Sequence, residues 1–144
     1  MYNSKVRWCL LLLLCLLLPP WNSNAQSSSR YLECTLIVAI NQTTGTTIIT
    51  GTASQRIYIC SILLVSATAQ NVSIVEGTGT VCATGITALY GGTTASIALA
   101  ANGGFAQASP KPFISTQVTA NGLCILQSGA GNVSGSISYV KIVP

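Results

Sequence analysis

Beyond Ala25, the residues whose types could do chemistry are four cysteines, Cys34, Cys60, Cys82 and Cys124, and two carboxylates, Glu33 and Glu76. The chain contains no histidine and no aspartate. Proton transfer, nucleophile activation and imidazole metal binding near neutral pH draw mainly on those missing types. One copy of this chain therefore cannot assemble the usual triads, carboxylate pairs or histidine metal sites. No catalytic, metal or cofactor residue is assigned, and serines, though abundant, have no base beside them.

The cysteine gaps are 26, 22 and 42 residues. A zinc site needs closely spaced pairs such as C-x-x-C, and a reactive thiol needs a neighbouring base. An even number of cysteines behind an export signal is instead the arithmetic of two disulfides in an oxidising compartment. Sequence leaves all three pairings open.

That export signal is read in residues 1–25. Lys5 and Arg7 form a positive head, Trp8 to Leu18 is an unbroken apolar run, and Pro19-Pro20 ends it. Ser23-Asn24-Ala25 then supplies small residues before a cut at Gln26. The run falls well short of the ~20 residues needed to cross a bilayer, so no stable membrane span is expected. Residues 26–30 read as a flexible lead, and 31–144 as one domain.

After the cut, four cations face two carboxylates, a net charge of +2. Two charges spread over a domain make no basic patch, so nucleic acid is not an expected partner. Little repulsion holds copies apart either, which points to self-association into a homo-oligomer.

The elements that must carry these residues are strands. Short runs of β-branched residues are broken by Gly, Asn and Thr about every ten residues. Tyr31 to Ile40 reads as a strand with Leu36, Val38 and Ile40 on one face. Arg56 to Thr68 reads as a central strand buried on both faces. Val72 to Glu76 places Val72 and Ile74 inward, and Thr80 to Ala83 is expected to continue the sheet. Ala95, Ile97 and Leu99 alternate with polar or small residues, and Asn102-Gly103-Gly104 marks a turn. In the last strand Val133, Gly135, Ile137 and Tyr139 share one face, and Ser134, Ser136 and Ser138 the other. The fold class is all-β: a single antiparallel β-sandwich or jelly roll of about eight to nine strands. The unguarded run Thr94 to Ala100 is expected inside a sheet or at an oligomer contact.

The glycine clusters precede no helix and read as hairpin turns rather than phosphate loops. Three Asn-x-Ser/Thr triplets, at Asn41, Asn71 and Asn132, follow from a composition rich in those residues. Tyr58 and Tyr139 read as core, and Tyr90, beside Gly91-Gly92, is the candidate for an exposed contact.

The run Arg56-Ile57-Tyr58-Ile59-Cys60-Ser61 and the segment Val72 to Gly85, with its Glu76-Gly77-Thr78-Gly79-Thr80-Val81-Cys82 turn, have a familiar look. With Gly122-Leu123-Cys124-Ile125-Leu126 and Val133 to Val140, they resemble small β-sandwich proteins of tailed bacteriophages and prophage-like regions. The resemblance covers most of Tyr31 to Val143 and implies a virion or surface-associated module. It implies a fold and a placement of cysteines, and no activity. Export signal and cysteines lead to a non-catalytic, secreted, cell-surface or periplasmic structural or binding module. The alternative is a virion component, such as a head-decoration or fibre-associated protein.

Overall fold

The computed structural model describes residues 32–144. The expected export segment, the lead and Tyr31 lie outside the described residues. The described residues form ten strands: β1 (Leu36–Gln42), β2 (Thr46–Ile49), β3 (Arg56–Ser66), β4 (Gln70–Thr78), β5 (Thr84–Tyr90), β6 (Ile97–Leu99), β7 (Gly104–Ala108), β8 (Ile114–Ser115), β9 (Gly122–Gln127) and β10 (Val133–Ile142). One sheet has the order β1-β10-β3-β7, with β8 also on β3; the other has β2-β9-β4-β5, with β6 also on β4. All pairings are antiparallel.

The sheets pack face to face through the inward phase of their strands. Ile40, Ile57, Ile59, Ile62, Leu64, Val133 and Ile137 come from the first sheet. Ile49, Val72, Ile74, Leu99, Leu123 and Ile125 come from the second. Ten of these thirteen are Ile or Val, whose stiff χ1 suits a pleated strand better than a helix. Each such side chain contributes roughly 1.5–3 kcal/mol on leaving water. The outward phase of the first sheet is wet, as the serines of β10 predict.

Three local readings are corrected. β3 is central, but Leu63 and Val65 on its outer face are 46% and 39% exposed, so it is buried on one face alone. The strand buried on both faces is β4, where every residue from Val72 to Gly77 is buried. Its outer face carries a second small cluster of Val75, Cys82, Cys124 and Leu126. Thr80–Cys82 is a 3-10 turn rather than strand. Val81 and Cys82 both take left-handed conformations there, at φ 55° and 56°, which no extended strand admits. Finally, β6 lies at a sheet edge among the described residues, pairing with β4, which removes the placement inside a sheet and leaves the oligomer contact as the other expectation. Asn71 and Val72 take it up because β5 pairs with β4 only from Ile74 onward.

The disulfides are Cys34–Cys60 and Cys82–Cys124, each with Cα atoms 6.0 Å apart, within the ordinary span of such bridges. Neither crosses between sheets. The first reaches β3 where the β10 ladder passes from Ser138–Ser61 to Tyr139–Ile59, leaving Cys60 as an extra residue. A bulge of this kind re-aims a side chain, here toward Cys34. The second ties the strained 3-10 turn down onto β9, over the small outer cluster.

Peptide mapping under non-reducing conditions should recover these two pairs and neither alternative pairing. Replacing Cys82 and Cys124 together with alanine should cost about 4 kcal/mol, from loop-closure entropy over 42 residues. Urea denaturation reads that loss; a loss below about 1 kcal/mol would show that the turn holds itself.

Candidate functional site

Three places in the sandwich have the chemistry or shape to act, and each is built by β4 or by the first sheet. The first is Glu76. It follows Val72 and Ile74 in the inward phase of β4 and is fully buried. One carboxyl oxygen accepts from the Gln117 backbone N–H at 2.5 Å, the other from Asn121 Nδ2 at 3.4 Å. Both donors belong to the segment joining β8 to β9. That segment is also bonded to the start of β3. Thr116 Oγ1 accepts from the Ile57 N–H at 3.0 Å, the Thr116 N–H donates to the Ile57 carbonyl, and the Ala120 N–H donates to the Gln55 carbonyl. Glu76 therefore clasps the loop that closes one end of the sandwich, joining both sheets. Its oxygens are committed to that loop.

Beside the clasp lies a hollow of about 150 Å³, lined by Thr47, Thr50, Gly51, Gly77, Thr78, Gly79, Ala120 and Gly122. Its polar groups are hydroxyls and main chain. Two of its glycines answer to packing: a Cβ at Gly51 would strike the Ala120 carbonyl, and one at Gly77 would lie 2.8 Å from the Cys82 carbonyl oxygen. The hollow has room for a small molecule, but no lining side chain moves a proton or holds a metal.

The third place is the outer face of the first sheet. The ladders align its outward residues in three rows across β1, β10, β3 and β7. The rows are Ile37–Ser138–Ser61–Ala108, Ala39–Ser136–Leu63–Ala106 and Asn41–Ser134–Val65–Gly104. Strands stand about 4.8 Å apart and rows about 7 Å, so the twelve positions tile a regular surface. None is charged, and the Ser61 and Ser138 hydroxyls bond one another at 2.6 Å. Ile37 is 75% exposed. A face of small, apolar and hydroxyl side chains suits broad contact with another flat surface, and offers no anchor for a charged ligand.

Tyr90, read from sequence as an exposed contact, is the last residue of β5 and half-buried. Its ring stacks on Phe105 of β7, centroids 5.1 Å apart, so it links the two sheets. All four cysteines are committed to disulfides. Lys141 Nζ donates to the Thr50 carbonyl at 2.7 Å and to Thr52 Oγ1 at 3.0 Å, tethering the β2–β3 connection to β10. Sequence reading missed the clasp, although the alternation Val72-x-Ile74-x-Glu76 carried the signal. No protein-family model, curated protein or solved structure matches the chain.

Replacing Glu76 with alanine should leave two donors without acceptors and cost about 2–4 kcal/mol. Glu76→Gln keeps the shape but turns an amide NH2 toward an N–H donor, at about 1–3 kcal/mol. Urea midpoints give the losses, and hydrogen exchange at the Gln117 amide should speed up in both variants. Unchanged exchange at Gln117 would refute the clasp.

Proposed function

We propose that this chain is an exported, non-catalytic module: a disulfide-stapled jelly roll that binds or builds through the three uncharged outer rows of its first sheet. The pair of disulfides carries the reading. Such bridges persist in oxidising compartments, and they match the apolar run and small-residue cut site of residues 1–25. The jelly-roll assignment rests on the strand order, in which the first strand pairs with the last and the second with the last but one. The localisation that follows is secretion, the cell surface or the periplasm. Among the described residues no helix is long and apolar enough to cross a membrane.

The non-catalytic reading rests on where the reactive groups are spent. The cysteines staple turns and strands, Glu76 holds a loop, and Glu33 stands exposed ahead of β1. A second reading, a virion component, draws on the same strand order, because jelly rolls recur in viral shells. It also draws on the sequence resemblance to phage β-sandwich proteins.

Fractionation of the producing cells tests the proposal. The expected result is protein in the culture supernatant, periplasm or cell surface, beginning at Gln26, with no alkylatable thiol. Recovery in purified particles would favour the virion reading. An intact mass that retained residues 1–25, with six alkylatable thiols, would overturn export.

A further inference from the structure

The edges of the two sheets are not alike. β2 has four residues and a register shift, β6 has three and β8 two. The β5 ladder is broken twice. β7 begins with Gly104 and runs out at Ser109-Pro110-Lys111-Pro112. Short, bulged, Pro-flanked or Lys-flanked edges are the usual ways of preventing strand addition. β1 has none of them. It runs for seven residues in unbroken register with β10, Leu36-Ile37-Val38-Ala39-Ile40-Asn41-Gln42, with no charge, proline or glycine. β10 covers one side of it, and among the described residues the other side ends the sheet.

The chain leading into β1 is directed away from that open side. Cys34 is bonded to Cys60 on β3, which lies beyond β10 in the sheet order. Cys60 stands two strand spacings, about 10 Å, from the line of β1, and Cys34 leans across β10 to reach it.

We propose that the open side of β1 takes β1 of a second copy, so that the first sheet runs continuously through a two-fold dimer. Three observations choose a second copy over another strand. An isologous contact sets like groups near their own copies, and β1 brings no charge to be repelled. An antiparallel pair turned about Ala39 matches Leu36 with Gln42 and Ile37 with Asn41, leaving no overhang on either strand. The outward rows of the two copies then join into one uncharged surface, and Ile37, 75% exposed in the single chain, gains a neighbour across the seam. Pairing one edge covers less than the about 800 Å² per partner of a standard interface, so the dimer is a micromolar one. The proposal is separate from export: an exported monomer would refute it and leave the proposed function standing.

The test is sedimentation of the purified, disulfide-intact protein from about 2 to about 200 µM, a range that brackets such affinities. The expected result is a monomer–dimer equilibrium, with β1 amides gaining hydrogen-exchange protection as concentration rises. Ala39→Lys sets two ammonium groups side by side and should weaken the dimer by at least about ten-fold. Ala39→Thr and, on the β7 edge, Gln107→Lys should leave the equilibrium unchanged. A monomer throughout the range overturns the proposal, as does a dimer indifferent to Ala39→Lys or equally weakened by Gln107→Lys. If Ala39→Lys does not fold, the wild-type exchange decides: β1 protection independent of concentration means that the chain covers its own edge, and the proposal fails.

Discussion

The carboxyl group of Glu76 holds the connection that closes one end of the sandwich. A sandwich has no side walls; its ends are closed only by connections between sheets, whose backbone groups cannot all join a ladder. Here the β8–β9 connection is such an end. It is fixed on one side by the two-way bonding of Thr116 with Ile57, and on the other by Glu76. β9 starts directly from this loop and carries Leu123 and Ile125 into the core, and Cys124 onto the outer face. The register of β9 against β4, the position of the second disulfide and the hollow beside Gly77 therefore all depend on how that loop is held.

Period-two alternation made most of this architecture legible before any coordinates. It marked β4 and β10 with their correct inward residues and placed Val38 and Ile40 of β1 toward the core, though Leu36 on the same face is 43% exposed, and cysteine arithmetic gave two disulfides. What it missed has physical causes. An apolar run reads as buried on both faces, yet Leu63 and Val65 of β3 face outward, because a sheet with no charged partner tolerates apolar residues on its surface. Thr80 to Ala83 has the composition of a strand, but the bond from Cys82 to Cys124 holds it in a left-handed turn that no propensity scale encodes. The pairing of the cysteines depended on a bulge at Cys60, which is a property of two strands together. The clasp depended on a loop far away in sequence, although the phase of Glu76 in β4 announced that the residue would point inward.

Scarcity of charge links these features. A chain with so few ionic groups cannot rely on a charged surface to keep its edges and faces to themselves. Its protections are geometric instead: edges kept to two, three or four residues, broken ladders, and prolines around Lys111. The seven-residue edge of β1 and the outer rows of the first sheet are the exceptions, the rows being wide, regular and uncharged.

The strand order carries a consequence in time. Because Leu36 pairs with Tyr139 and β10 lies between β1 and β3, the first sheet has a gap at its centre until the last strand arrives. Synthesis from the N-terminus delivers β1 and β3 long before β10 exists. Contacts of such long sequence separation also make folding slow, since most of the chain must be ordered before they form. A nascent chain of this topology therefore stays open through nearly all of its translation. Such lateness would serve the export proposed above, which needs a chain still unfolded when it reaches the membrane.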